Sequence, residues 1–96
     1  MASDMQNGME IKYKLFTTPT CPNCPSLKEF MKTVSIQGEI VNAATTEGSV
    51  LAAKFGIMAV PTVLFFNGEN EVLHIAQSVS QVRRVLDSLV AANVMQ

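Results

Sequence analysis

The chain holds two cysteines, and both fall in one short stretch, FTTPTCPNCPSLKEF, residues 16–30. Cys21 and Cys24 are separated by Pro22 and Asn23 and followed by a second proline and an amphipathic run. Thiols at that spacing suit sulfur exchange. A thiolate attacks a disulfide and a thiol does not; a neighbouring thiol then resolves the mixed disulfide and frees the product. In one arrangement Cys21 sits at a helix cap, where free N–H groups and the helix dipole favour its negative charge, and Cys24 lies one turn on. Pro22 then fits the first helical position, since its missing N–H is not needed there. Pro25 complicates this placement, because it would remove the first internal helix bond, to the Cys21 carbonyl. The regular helix can instead start at Pro25, with the cysteine pair in a preceding turn.

Magnitudes show where the advantage of such a pair lies. Lowering a thiol pKa from about 8.5 to about 7 raises its thiolate fraction at neutral pH about 15-fold, while the lost basicity takes back a factor of roughly five. The net gain is about threefold. The larger benefit is proximity of the second sulfur, which makes the resolving step intramolecular.

Other uses of two thiols stay open at this level. Structural zinc needs four ligands, and the chain offers two cysteines and one distant histidine, His74. A CxxC metal or iron–sulfur module completed by a second chain at a dimer interface is the alternative to weigh. A permanent staple is the weakest reading, because crosslinking so short a loop removes little entropy from the unfolded chain.

The rest of the sequence bounds the setting. Its 96 residues suit one domain, and 48% hydrophobic content is enough for a core. Seven basic and eight acidic residues leave a net charge of −1, scattered along the chain. That argues against a nucleic-acid partner, which favours a concentrated basic face, and against a polybasic membrane anchor. No apolar run approaches the ~20 residues of a membrane helix. The opening MASDMQNGME lacks the basic start and apolar centre of a secretory signal. Residues 1–9 are expected to form a flexible tail and residues 10–96 the domain. The expected compartment is the cytoplasm, although a mature secreted form would equally lack its signal.

The elements that must position the cysteines follow from periodicity. EIKYKLFT, residues 10–17, alternates Ile11, Tyr13 and Leu15 against Lys12 and Lys14, a strand whose two faces are both buried by Leu15 and Phe16. Leu27, Phe30, Met31 and Val34 recur at helical spacing. Gly38 punctuates, and EIVNA, residues 39–43, predicts a second strand. Thr45 or Thr46 caps a helix through Val50, Leu51 and Phe55, closed by Gly56 in the C′ role. PTVLFFNGENEVLHIA, residues 61–76, reads as a hairpin around Asn67-Gly68, with a loop of two residues or more. Ser78 and Gln81 make a capping box for a last helix carrying Val82, Val85, Leu86, Leu89 and Val90. The order is strand, helix, strand, helix, hairpin, helix. It predicts an α/β fold with a four-stranded mixed sheet and three helices on its two faces.

With these motifs in view, residues 10–92 resemble the thioredoxin/glutaredoxin superfamily. The resemblance rests on CPNC after a first strand and on FGIMAVPTVLFFNGE, residues 55–69, which is similar to the stretch leading through that family's cis-proline into its central hairpin. A CxxC alone is unspecific; joined to a downstream Val-Pro-Thr before a strand and hairpin, it is specific. The resemblance implies a thioredoxin fold, with Cys21 as nucleophile and Cys24 as resolving thiol. It implies a cis Pro61 against the cysteines and a Val60 backbone that pairs with an extended client segment. Thr20, Pro22 and Asn23, with Met58 and Ala59 as an apolar patch around the sulfurs, complete the expected substrate-binding set.

It implies no cofactor and no metal. The partners it implies are protein disulfide clients and a thioredoxin-reductase-like flavoenzyme, met by a monomer. Departures from the family pattern bear on that reading. Thr20 stands where thioredoxins carry Trp, and Pro22-Asn23 where they carry Gly-Pro; Pro22 is the glutaredoxin arrangement. A buried carboxylate behind the resolving cysteine would fall near Leu15, so Cys24 is left with water or Cys21 as proton acceptor. NGENEV, residues 67–72, lacks the Gly-Gly with which glutaredoxins hold glutathione, which implies weak or absent glutathione binding; a glutathione-dependent donor remains the alternative electron route. The family's glycine before its last helix has no match, with Ala76 and Gln77 standing nearby. His74, Lys12, Lys14, Lys28 and Lys54 read as surface or half-buried side chains, with Lys28 the nearest candidate to touch a client.

Overall fold

In the computed structural model, residues 11–94 are described. The expected tail, residues 1–9, and Glu10 lie outside them. The elements are β1 (Lys12–Thr17), α1 (Cys24–Lys32), β2 (Gln37–Asn42), α2 (Thr46–Lys54), β3 (Thr62–Phe66), β4 (Val72–Ala76) and α3 (Val79–Val94). They build one four-stranded sheet in the order β2-β1-β3-β4. β1 runs parallel to β2 and antiparallel to β3, and β3 pairs antiparallel with β4. Of the two inner strands, β3 is buried at every position and β1 over its second half, as strands covered on both faces are.

The period-two alternation divides the core. Leu15, Val63, Phe65 and Ala76 meet Leu27 and Met31 of α1 and Val82 and Val85 of α3. On the opposite face Phe16, Leu64 and Phe66 meet Ala52 of α2, with Leu51 and Phe55 packed alongside. Two helices thus cover one face and a single helix the other. Leu73 and Ile75, on the α2 face of the edge strand β4, remain 42% and 60% exposed. Val50 of α2 also points outward, 65% exposed, because Gly48 and Ala52 form the inner stripe of that helix.

Local rules explain most boundaries. The Thr45 hydroxyl accepts from the Gly48 N–H at 2.9 Å, capping α2. At its other end Gly56 has φ +70°, its N–H donates to the Ala53 carbonyl, and the Ile57 N–H reaches the Ala52 carbonyl, the paired bonds of a Schellman close. At α3 the Ser78 hydroxyl accepts from the Gln81 N–H at 3.2 Å, while Gln81 Oε1 accepts from the Gln77 N–H at 2.7 Å.

One expectation needs correction, and one open choice is decided. β2 begins at Gln37, earlier than the 39–43 span expected, and Gly38 lies inside it opposite Tyr13. A Cβ at Gly38 would collide with the Tyr13 ring, so the glycine marks close packing within a strand rather than punctuation. The hairpin loop is the longer kind. Asn67 Oδ1 accepts from the N–H groups of Glu69 and Glu71 at 2.8 and 3.0 Å, and the positive φ falls on Asn70 (+65°), not on Gly68.

Candidate active site

The inner strand β1 ends in two buried residues, Phe16 and Thr17, and delivers the chain at one end of the sheet into the turn that leads through Cys21 to Cys24. The Cys21 N–H donates to the Thr18 carbonyl at 3.2 Å, closing that turn. Cys21 and Cys24 are joined as a disulfide with Cα atoms 5.4 Å apart. α1 begins at Cys24, between the two arrangements open from sequence: Cys21 lies in the turn before the helix and Cys24 is the first helical residue. Pro22 is not the first helical residue. Pro25 lies in the first turn, where no internal partner is needed for its nitrogen. Asn23 occupies the cap position with φ −97° and ψ −6°, yet its side chain makes no capping bond.

The two sulfur-bearing residues are not equivalent. Cys21 is 9% exposed and Cys24 2%, so Cys24 lies behind its partner, walled by the α1 face that also buries Leu27. Thr20, Pro22 and Asn23 are exposed around Cys21. Leu15, where the family's carboxylate would fall, is fully buried among core residues. Among the described residues no group of three or more His, Cys, Asp or Glu side chains gathers at one place.

The second constellation comes from the opposite direction. The Val60–Pro61 peptide is cis, Pro61 is buried, and β3 starts at the next residue. A cleft of about 210 Å³ brings Asn23 of the cysteine turn and Ser26 and Leu27 of α1 against Pro61, Gln77 and Ser78. The fold therefore gathers CPNC and the proline loop at one end of the sheet. Met58, Ala59 and Val60 line a different groove, about 320 Å³, with Ala43, Ser49, Ala52, Ala53 and Ile57 beneath α2. Met58 is 94% exposed there. Thr20 and Pro22 line neither cavity.

Gln77, Ser78 and Ser26 belong to this neighbourhood and sequence reasoning passed over them. Gln77 is brought there by the β3–β4 register, which pairs Val63 with Ala76 and sets the next residue across from Thr62. His74 is half-buried in β4 opposite Phe65, away from the cysteine turn. Lys54 lies with its Nζ 5.9 Å from the Phe55 ring centroid, and Lys14 pairs with Glu39.

A family model described as thioredoxin domain matches residues 9–87. A thioredoxin of Methanocaldococcus jannaschii is 37% identical over 68 residues, covering 65% of this chain and 76% of that protein. A probable thioredoxin of Archaeoglobus fulgidus is 36% identical over 58 residues, 56% of this chain and 64% of that protein. Among solved structures, oxidized thioredoxin O2 from Arabidopsis thaliana superposes with a TM-score of 0.67 at 22% identity, covering 95% of this chain and 86% of its own. A mutant thioredoxin from Halobacterium salinarum gives 0.69 at 16% identity, covering 94% and 80%. These structural likenesses carry the fold.

Proposed function

This chain belongs to the thioredoxin domain family, and from that premise we propose that it is a protein-disulfide reductase. Family membership and a Cys-X-X-Cys pair at disulfide distance make it a thiol–disulfide oxidoreductase. The finer reading concerns direction, client and electron source. In the reduced protein the Cys21 thiolate attacks one sulfur of a client disulfide. A Cys21–client disulfide forms and the client's other sulfur leaves as a thiolate. Cys24 then attacks Cys21, restoring the Cys21–Cys24 bond and releasing the second client thiolate. Two electrons pass to the client, and the protein is left oxidised.

The observation that carries this reading is the unequal exposure of one bonded pair, Cys21 at 9% and Cys24 at 2%. An incoming disulfide meets Cys21, and Cys24 is reserved for the intramolecular step. Exposed Thr20, Pro22 and Asn23 form the rim the client meets first. The proline loop supplies backbone at Val60 for an extended client strand, with Met58 and Ala59 beside it and Pro61 beneath. Both reacting sulfurs come from one chain, which suits a monomer. No helix among the described residues is long and apolar enough to cross a membrane, and a recycling dithiol suits the reducing cytoplasm. A thioredoxin-reductase-type flavoenzyme recharges the couple. The loop after β3, NGENEV, offers no Gly-Gly for glutathione.

Trapping tests the roles. Cys24→Ser should accumulate mixed disulfides through Cys21, and Cys21→Ser should not; equal trapping by both variants removes the assigned order. Turnover coupled to a flavoenzyme reductase should exceed turnover with glutathione alone, and the reverse result overturns the electron source.

A further inference from the structure

The proline loop is held from below by a chain of hydrogen bonds. Thr62, 2% exposed, follows Pro61 and opens β3. Its hydroxyl donates to the Ala59 carbonyl at 2.6 Å. The same oxygen accepts from the Gln77 side-chain amide at 3.3 Å. Gln77 is itself held, because its backbone N–H donates to Gln81 Oε1 at 2.7 Å in the first turn of α3. A continuous path therefore runs from the start of α3, through Gln77 and Thr62, to the residue before Val60.

We propose that Thr62 and Gln77 are positioning residues for client docking, which together orient the Ala59 carbonyl and so set the Val60 backbone that a client strand pairs with. The inference rests on the disulfide-reductase reading and adds to it the device that holds the docking edge. A threonine hydroxyl has one hydrogen to give. Gln77 donates into its lone pairs and thereby turns that hydrogen toward Ala59. Removing the amide frees the hydroxyl rotor; removing the hydroxyl frees the carbonyl. Hydrogen bonds arranged in series polarise one another, so the two contributions are coupled rather than additive. The family's glycine before its last helix has no match here, and Gln77, standing nearby, carries a side chain that reaches Thr62. The clamp acts on backbone geometry and leaves the sulfur chemistry alone.

The test separates docking from thiol reactivity. With insulin as the disulfide client, Thr62→Val should raise KM about 5–10-fold, the worth of one hydrogen bond, and leave kcat within about twofold. The rate with a small aromatic disulfide, which needs no strand pairing, should stay within about twofold. Thr62→Ser restores the hydroxyl and should restore KM. Gln77→Ala, an exposed position, should raise KM about 2–3-fold, and the double variant should be no worse than Thr62→Val alone. The Val60 amide nitrogen shares a peptide with the Ala59 carbonyl, so its NMR shift should move in Gln77→Ala as in Thr62→Val. Unchanged KM and an unchanged Val60 shift overturn the proposal; so does equal loss on both substrates, or failure of Thr62→Ser to recover. Should the unsubstituted protein reduce no protein disulfide, the reductase reading falls, and the Val60 amide shift alone decides the clamp.

Discussion

The starts of the helices divide into two kinds. α2 begins with Thr45 accepting from Gly48, and α3 with Ser78 accepting from Gln81. α1 begins at Cys24 behind Asn23, a residue type well suited to capping, whose side chain caps nothing. The first two starts are closed by their own side chains. The third has no side-chain cap. Local stabilisation is complete where an element only supports the sheet and incomplete where the chain carries its sulfurs. Stability and chemistry are thus invested at different helix ends.

Substitutions at the three ends sharpen or break that contrast. The largest effect should come from Cys21→Ser, which is expected to lower disulfide reductase turnover by at least about a thousandfold, since a hydroxyl cannot form the mixed disulfide. Denaturant melting of the reduced variant should lie within about 0.5 kcal/mol of the reduced parent. A loss well beyond that range would show that the α1 start is structural after all. Next comes Gly48→Ala in the first turn of α2. A Cβ there collides with the Asn42 backbone carbonyl, and overpacking of this sort costs about 1–3 kcal/mol in chemical denaturation. Thr45→Ala removes the α2 cap and should cost about 1 kcal/mol, with the potential of the cysteine couple unmoved. Asn23→Ala should have the smallest effect on stability, within about 0.5 kcal/mol, because no capping bond is lost. A cost near that of Thr45→Ala, measured the same way, would break the comparison.

Most of the fold was legible because its signals are short-range. The alternation of Tyr13 and Leu15 with two lysines, the helical spacing of Leu27 and Met31, and Gly56 at a helix close are all read within one turn or one strand. What sequence misjudged depends on partners far along the chain. Gly38 looks like a break until Tyr13, on the neighbouring strand, is laid against it. The arrangement that put Cys21 at the helix cap fails because Pro25 is better accommodated by a later start. At the site, both cysteines and Pro61 were visible as motif residues, whereas Gln77 was not. Its partner Thr62 lies 15 residues away, and only the β3–β4 register brings them together. Met58 and Ala59 are legible only by adjacency to Pro61, whereas the groove they line with Ala52 and Ala53 of α2 is made by the fold.

The near-complete burial of Cys24 has a consequence for anything that arrives uninvited. An oxidant, an alkylating poison or a stray metabolite must first engage the outer sulfur. Once it is attached through a reducible bond, it lies beside a thiol that bulk reagents scarcely meet, and that thiol expels it. Sequence of access, rather than any difference in acidity, then dictates which adducts persist. Irreversible modification of the outer atom is lasting damage, while reversible capture is erased by the same stroke that serves a genuine client.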